Sequence, residues 1–298
     1  MRLRLRDRVV ELRVGAPLLM GIVNASPESF SDGAAVGGLD AQVKRALALR
    51  DAGAELIDVG GESGVTDREP VSADEEAARV VPVVERLADE GATVSVDTWK
   101  APVARAALEA GASMVNDISG LSDPEVADAC AAAGAALVVM HTRVPPKVKG
   151  FPAYDDVVAD VVAFLRERIE LALGRGVDEE QIVVDPGPDF AKTPAETVAT
   201  LRCLDEVRAL GRPVLLAVSR KDFVGAIAGR APGARLASTL AAVGEGVDAG
   251  ATIVRVHDVE AVRDFLAVRA ALRGEREVPA ELRLDPGLRR ETVRGRMP

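Results

Sequence analysis

The chain is poor in cysteine and aromatic residues, and each shortage excludes a class of site. Among its 298 residues there are two cysteines, Cys130 and Cys203, and both lie in stretches rich in alanine and leucine. Two cysteines cannot build a disulfide scaffold or a cysteine-based zinc site, and their scarcity fits a reducing cytoplasm. Aromatic residues make up 3% of the chain, which is too few for the stacking platforms that bind single-stranded nucleic acid.

The sequence also lacks an excess of positive charge and a long hydrophobic run. Its 37 basic and 47 acidic side chains give a formal net charge of −10, which argues against a nucleic acid or an anionic membrane as the main partner. The apolar run at 14–23 follows four arginines, but Pro17 and Gly21 interrupt it, and it is shorter than the roughly 20 residues that span a bilayer. We interpret it as a buried strand and expect a cytoplasmic protein.

A repeated junction between a helix and a strand organises the chain. Four copies precede short apolar segments: Asp51-Ala-Gly-Ala54, Glu109-Ala-Gly-Ala112, Ala132-Ala-Gly-Ala135 and Asp248-Ala-Gly-Ala251. In each copy the glycine can adopt the left-handed conformation that ends a helix. Helix starts are marked by Ser72-Ala-Asp-Glu75 and Thr193-Pro-Ala-Glu196, which have the spacing of capping boxes, and by the similar Ser122-Asp-Pro-Glu125.

The apolar segments predict eight strands, at about 18–24, 55–60, 93–97, 113–118, 136–141, 182–186, 213–219 and 252–257. A helical stretch follows each strand, which is typical of a parallel sheet covered by helices. Eight such units in about 250 residues favour an α/β fold of the (β/α)8 TIM-barrel type. A doubly wound sheet is the alternative, although the first strand leads into Asn24-Ala-Ser-Pro27 instead of a glycine-rich turn.

We expect a single domain whose two ends differ from its middle. Within residues 1–16, the segment 2–6 alternates in polarity and, with 9–14, predicts a hairpin across the bottom of the barrel. Residues 17–273 are expected to form the barrel itself. Residues 274–298 are rich in arginine and glutamate, contain several prolines and show little apolar periodicity. This tail is expected to be poorly ordered.

Nearly every predicted strand ends in a polar side chain. In a TIM barrel these ends meet at one rim, where the chemistry takes place. The residues are Asn24, Asp58, Asp97, Asn116, Asp117, His141, Asp185, Ser219, Arg220, Lys221, Arg255 and His257. A single aspartate at a strand end is more often a helix cap, but this number predicts a dense polar pocket.

Arg255 and His257 are two residues apart in a strand, so their side chains point the same way. A guanidinium beside an imidazole predicts a phosphate or pyrophosphate clamp. Lys221 follows the seventh strand, where this fold often holds phosphate. The simpler alternative pairs Arg255 with a neighbouring carboxylate and lets His257 cap the last helix.

Asp97, Asn116 and Asp185 lie opposite this clamp. Two carboxylates and a carboxamide can bind a flat heterocycle that carries N–H donors and ring-nitrogen acceptors, or they can bind a metal ion through oxygen. The spacing leaves both open. Asp58 and Glu62 are further acids that either cap helices or pair with arginines.

The motifs in this order resemble those of the dihydropteroate synthase family. They extend over about 18–266 and comprise Met20-Gly-Ile-Val-Asn24, Ser26-Pro27, Ser29-Phe-Ser-Asp-Gly33, Asp58-Val-Gly-Gly-Glu-Ser63, Ser95-Val-Asp-Thr98, Asn116-Asp117, Met140-His141, Asp185-Pro-Gly187 with Phe190 and Lys192, Ser219-Arg-Lys221 and Arg255-Val-His-Asp258. The resemblance implies a transferase of folate biosynthesis. The pyrophosphate ester of a hydroxymethyl dihydropterin loses pyrophosphate, and the amine of p-aminobenzoate attacks the methylene carbon.

The resemblance also implies roles for individual residues. Asp185, Asp97, Asn116 and Lys221 hold the pterin edge, while Met140, Ile118 and Phe190 lie against its faces. Arg255, His257 and Asn24 hold the pyrophosphate, Asn24 through Mg²⁺. Asp32 lies near the developing cation, and Ser219 and Lys221 flank the aminobenzoate. The family further implies a homodimer formed through the helices around the eighth strand.

One loop departs from the family pattern. After Gly60-Gly-Glu-Ser63 the family has Thr-Arg-Pro-Gly, whereas this chain has Gly64 and Val65 at the positions of Thr and Arg, with Arg68 three positions after Val65. We therefore expect weak binding of aminobenzoate and of sulfonamides. The alternative function is a paralogue that binds the pterin pyrophosphate with little or no synthase activity. A pterin methyltransferase is less favoured, because it does not need the anion clamp.

Overall fold

Alternating strands and helices fill the part of the chain that the structure, a computed structural model, describes: residues 1–25, 38–62 and 70–288. The strands are β1 (Arg2–Leu5), β2 (Arg8–Glu11), β3 (Leu18–Asn24), β4 (Leu56–Gly60), β5 (Val94–Asp97), β6 (Met114–Asp117), β7 (Ala136–Met140), β8 (Ile182–Asp185), β9 (Leu215–Leu216) and β10 (Ile253–Val256). The α-helices are α1 (Gly38–Asp51), α2 (Ala73–Asp89), α3 (Ala101–Glu109), α4 (Glu125–Ala133), α5 (Val157–Gly174), α6 (Pro194–Arg202), α7 (Leu204–Arg208), α8 (Asp222–Ala228), α9 (Leu236–Asp248) and α10 (Val259–Leu272).

The strands β3 to β10 form a nearly closed parallel barrel. Their spatial order is β8-β7-β6-β5-β4-β3-β10-β9, so every strand lies beside its neighbours in sequence. A bridge between Val184 and Val214 joins β8 to the residue before β9. The predicted (β/α)8 barrel is confirmed, and the doubly wound alternative is wrong.

The seventh barrel strand is much shorter than the predicted segment 213–219. The strand β9 comprises only Leu215 and Leu216, and Val214 before it forms an isolated bridge. Pro213 has no N–H to donate, and the backbone nitrogen of Val214 donates to the hydroxyl of Thr252 at 3.2 Å instead of to a strand. The backbone of this segment nevertheless reaches β8, because the carbonyl of Pro213 accepts from the nitrogen of Val184 at 2.9 Å.

The junctions between helices and strands follow the predicted chemistry. Gly53, Gly111, Gly134 and Gly250 have φ angles of 111°, 110°, 66° and 103°, which residues with side chains rarely adopt. Ser72 caps α2 by accepting from the nitrogen of Glu75, and Thr193 forms a complete capping box with Glu196. The predicted helix start at Ser122-Asp-Pro-Glu125 is also present, since α4 begins at Glu125, but Ser122 does not cap it; instead, Oδ1 of Asp123 accepts from the nitrogen of Glu125 at 3.0 Å.

The N-terminal hairpin closes the bottom of the barrel. The strands β1 and β2 pair in antiparallel register. Leu3, Leu5 and Leu12 pack with inward-facing barrel residues such as Met20 and Leu56 in a core separate from the one beneath the helices. Side chains of the described residues therefore fill this end of the barrel. The predicted boundaries at 16 and 273 stay predictions, as does disorder of the tail.

Among the described helices, none combines the length and the apolar character needed to cross a membrane. The longest, α5, has 18 residues and carries charged side chains on its exposed positions. Its buried residues instead pack into the core beneath the helices.

Leu3→Ala should lower the free energy of unfolding by about 2–5 kcal/mol, because it leaves a cavity where the hairpin packs against the bottom of the barrel. Val9→Ala on the same hairpin is the matched control, since Val9 is 43% exposed. Urea unfolding of both variants measures the difference. Equal losses would show that the hairpin does not fill the barrel.

Candidate active site

Arg255 lies at the centre of a hydrogen-bonded network in the barrel mouth. Its Nε donates to Oδ2 of Asp58 at 2.6 Å, and its Nη2 donates to Oδ2 of Asp97 at 2.7 Å. Asn116 donates to the same oxygen of Asp58 at 3.0 Å. Side chains from β4, β5, β6 and β10 are thereby joined. Arg255 therefore does pair with carboxylates, as the simpler alternative predicted. Its side chain is nevertheless 19% exposed, so a ligand can also reach it.

The two carboxylates of this network differ in their surroundings. Asp58 is fully buried, and within the described residues its Oδ1 has no hydrogen-bond partner. Asp97 lies nearer the mouth. Burial raises the pKa of Asp97 to about 7, with a further contribution from the charge of Asp58, whereas Arg255 opposes the rise. The raised pKa brings the proton equilibrium of Asp97 close to neutral pH.

His257 is held by Ser219 rather than capping the last helix. The hydroxyl of Ser219 lies 2.9 Å from Nδ1 of His257 and accepts from the backbone nitrogen of His257 at 3.2 Å. Burial, followed by the charges of Arg220 and Arg255, lowers the pKa of His257 to about 4. The imidazole is neutral at pH 7. When the hydroxyl donates to Nδ1, the ring hydrogen is on Nε2, so His257 offers a hydrogen-bond donor rather than a positive charge.

Asp185 and Lys221 form the other half of the mouth. Asp185 is buried, and its Oδ1 accepts from the backbone nitrogen of Gly187 at 2.7 Å. Burial raises the pKa of Asp185, and the charge of Lys221 opposes the rise. Burial lowers the pKa of Lys221 to about 8, against the attraction of Asp185. The Lys221 ammonium donates to the carbonyl of Pro188 at 2.8 Å and lies 4.1 Å from the ring centre of Phe190.

A cavity of about 330 Å³ opens beside Lys221 and Phe190. Ile118 and Trp99 contribute apolar surface to it, and residues 144–151 line it from the segment after β7. This volume suits a single planar ring system of moderate size. Of the residues predicted to bind the pterin, the cavity is lined by Ile118, Phe190 and Lys221.

The structure does not bring every polar strand end into the mouth. Asp117 accepts from the nitrogens of Ser119 and Leu121 and so caps a turn. His141 bonds to Asp160 on α5, and Arg220 pairs with Asp258.

The other sequence-predicted residues lie at different depths. Met140 is fully buried, Ile118 is half-buried, and Asn24 is exposed at the end of β3. Glu62 pairs with Lys100 at 2.6 Å rather than with an arginine. Asp32, Gly64, Val65 and Arg68 lie outside the described residues.

Two parts of the site were missed by the sequence reasoning. The sequence did contain a signal for Trp99, because it follows the predicted site residue Asp97 by two positions and is the only tryptophan of the chain. Residues 144–151 gave no signal, because their place beside the cavity depends on the path of the chain after β7.

Comparisons with known proteins point to one family. The family model described as pterin binding enzyme matches residues 20–257. The dihydropteroate synthase of Bacillus subtilis is 44% identical over 247 residues, which are 82% of this chain and 85% of the relative. A solved dihydropteroate synthase of Xanthomonas albilineans with 4-aminobenzoic acid superposes with a TM-score of 0.85 at 41% identity, covering 93% of this chain and 99% of the other. A structure of the Xanthomonas enzyme in complex with 7,8-dihydropteroate gives 0.83 at 40% identity, covering 94% and 100%.

Asp97→Asn should gain stability relative to the parent protein as the pH rises from about 4 to 7. The unfolded aspartate loses its proton near 3.8 and the folded one near 7, so in this window the folded state binds the extra proton and a rising pH weakens the parent fold. Urea unfolding of both proteins at pH 5 and 7.5 measures the difference, in which other groups cancel. A difference that is independent of pH would mean that Arg255 keeps Asp97 ionised throughout.

Proposed function

The chain belongs to the pterin binding enzyme family, and from this premise we propose that it is a dihydropteroate synthase-type transferase. It condenses 6-hydroxymethyl-7,8-dihydropterin pyrophosphate with p-aminobenzoate and releases dihydropteroate and pyrophosphate. The proposal is carried by the Arg255 network, whose guanidinium is held by Asp58 and Asp97. The buried Asp185 and Lys221, whose charges influence each other's pKa, and the cavity that Lys221 lines support it. The relatives solved with 4-aminobenzoic acid and 7,8-dihydropteroate support the same pair of substrates.

The pterin is held by its polar edge in the mouth of the barrel. Asp185 accepts from ring N–H groups, while Asn116 and Lys221 supply donors to ring acceptors. Asp97 completes this set and changes its proton state near pH 7. The flat ring lies between Ile118 and Phe190, which line the adjoining cavity, and Met140 lies beneath it.

The leaving pyrophosphate is stabilised by donors that are fixed before the reaction. Arg255 is oriented by Asp58 and Asp97, and neutral His257 is oriented by Ser219. Fixed donors cost little reorganisation when charge develops on the leaving oxygen, which is how such sites lower a barrier. The Lys221 ammonium is charged below about pH 8 and adds to the positive field.

The residues present fit a magnesium ion whose ligands come mainly from the pyrophosphate. Among the described residues, no three histidine, cysteine, aspartate or glutamate side chains form a metal-binding group. Asn24 offers one exposed carboxamide oxygen at the end of β3, and Mg²⁺ is commonly held by one or two protein ligands together with substrate phosphates. When bound, the ion would neutralise charge on the leaving group.

The aminobenzoate enters through the cavity beside Phe190 and Lys221. Its amine attacks the methylene carbon as the bond to the pyrophosphate oxygen breaks, and the nitrogen then loses a proton. Ser219 and Lys221 flank it, although the hydroxyl of Ser219 also holds His257. Asp32 near the developing cation, and weak aminobenzoate binding caused by Gly64 and Val65, stay predictions from the sequence.

Asp185→Asn should weaken binding of the pterin alcohol by about 1–3 kcal/mol, because a donor replaces an acceptor that faces a buried N–H group. Calorimetry on the purified protein measures the affinity. Asp178→Asn is the control, since Asp178 lies near the closed end of the barrel, where it pairs with Arg4 of the hairpin. Unchanged affinity in Asp185→Asn would place the pterin elsewhere.

We also propose that the protein works in a reducing cytoplasm, without nucleic acid or membrane partners. Both cysteines are free thiols, and Cys130 is buried. The net charge of −10 supports the same setting.

We propose that the protein is a homodimer formed through α9 and α10. An open apolar groove there is lined by residues that include Leu240 and Phe265, and Val268 and Leu272 are 61% and 84% exposed. Apolar side chains grouped in this way mark interaction surfaces more often than isolated ones do.

Val268→Asp should therefore convert a dimer into a monomer in sedimentation experiments, because a charge is costly in a buried apolar interface. Val278→Asp is the matched control, because Val278 is similarly exposed outside the groove. A parent protein that sediments as a monomer, or a Val268→Asp variant that stays dimeric, would contradict the proposed interface.

A further inference from the structure

The loop at 186–193, between β8 and α6, has an unusual backbone. Gly187, Asp189 and Ala191 have φ angles of 66°, 64° and 53°. Residues other than glycine rarely adopt this left-handed region, and they persist in it only when surrounding contacts hold them. The loop directly follows Asp185 and carries Phe190, so its conformation affects both.

Side chains hold four carbonyl groups of this loop. Lys192 donates from Nζ to the carbonyls of Gly187 at 3.0 Å and Phe190 at 3.1 Å. Lys221 donates to the carbonyl of Pro188 at 2.8 Å, and the hydroxyl of Tyr154 donates to that of Ala191 at 2.8 Å. Lys192, which belongs to the loop, thus holds the loop backbone in place. The carbonyl of Pro188 in that backbone then fixes the position of the Lys221 ammonium.

Lys192 is fixed by a second pair of side chains. Its Nζ lies 2.7 Å from Nδ1 of His141, and Nε2 of His141 lies 2.8 Å from Asp160. Burial lowers the pKa of His141 to about 3, so the ring is neutral and its Nδ1 accepts from the ammonium while Nε2 donates to the carboxylate. Arg143 holds Asp160 through two hydrogen bonds, at 2.9 and 2.8 Å.

Burying Lys192 lowers the stability of the fold, which is unexpected for a residue whose role is purely structural. Its side chain is 1% exposed, and its hydrogen-bond partners in the described residues are two carbonyls and a neutral imidazole. Burial lowers the pKa of Lys192 to about 7, because a buried cation without a directly bonded carboxylate is destabilising in itself. The geometry therefore indicates a gain outside stability, and the atoms that Lys192 holds lie directly behind Phe190 and beside Lys221.

We propose that Lys192, oriented by His141 and Asp160, is a positioning residue for the transfer reaction. It touches neither substrate. It fixes the loop at 186–193 so that the ring of Phe190 and the ammonium of Lys221 meet the pterin and the aminobenzoate in the reactive arrangement. The inference rests on the proposed function, because it names a determinant of that reaction.

Two substitutions of His141 separate its contacts. In His141→Asn the side-chain oxygen replaces Nδ1 and still accepts from Lys192, whereas in His141→Gln the amide replaces Nε2 and leaves Lys192 without that acceptor. We expect His141→Gln and Lys192→Met to lower kcat at least tenfold, while the affinity for the pterin alcohol changes less than threefold, because Asp185 and Asn116 still bind the ring edge. His141→Asn should retain kcat within threefold. Equal kcat losses in His141→Asn and His141→Gln would overturn the proposal, as would a Lys192→Met variant with parental kcat.

A mutant cycle and the fluorescence of Trp99 complete the test. If Lys192 acts through the loop, Lys192→Met and Phe190→Leu should lower kcat less in combination than the product of their separate effects, whereas independent effects would overturn the proposal. Trp99 lines the same cavity as Phe190 and is the only tryptophan. Its acrylamide quenching should rise in Lys192→Met and His141→Gln but not in His141→Asn. A parent protein without synthase activity would refute the proposed function, and the quenching pattern would still decide whether Lys192 fixes the loop.

Discussion

The ion pairs of Arg255 with Asp58 and Asp97 are the interaction on which the mouth of the barrel depends. A guanidinium inside a parallel barrel is costly unless carboxylates compensate it, and here one lies on each of two neighbouring strands. The same oxygen of Asp58 also accepts from Asn116. One buried carboxylate therefore orients both the guanidinium of Arg255 and the amide of Asn116, so these two side chains are held together.

The chain arranges its polar groups on two faces of the barrel wall. Inward residues at the strand ends face the barrel interior, while the outward neighbours of two of them hold the surrounding structure: Asp117 caps a turn behind Asn116, and His141 anchors Lys192 behind Met140. Because successive strand residues point to opposite sides, a pair of polar residues at a strand end can serve both purposes. The hairpin fills the bottom of the barrel.

Much of the fold could be predicted, because helix ends, caps and apolar strands are local signals. The length of β9 could not, since it depends on Thr252 replacing a strand partner for Val214. The rim residues were also predictable, but their partners were not: Arg255 and Asp58 are 197 residues apart, and Lys192 and His141 are 51 apart. Strict alternation along the strands would have predicted that Asp117 and His141 face outward. The contacts of Lys192 required the path of the loop at 186–193.

The central claim is that the chain transfers the pterin to p-aminobenzoate rather than only binding it. The most direct measurement is pyrophosphate release from 6-hydroxymethyl-7,8-dihydropterin pyrophosphate with Mg²⁺, made with and without p-aminobenzoate. We predict release that depends on p-aminobenzoate and yields one dihydropteroate per pyrophosphate. Binding of the pterin pyrophosphate without release, or release at the same rate in both reactions, would contradict a synthase, and the first result would identify a pterin-binding paralogue.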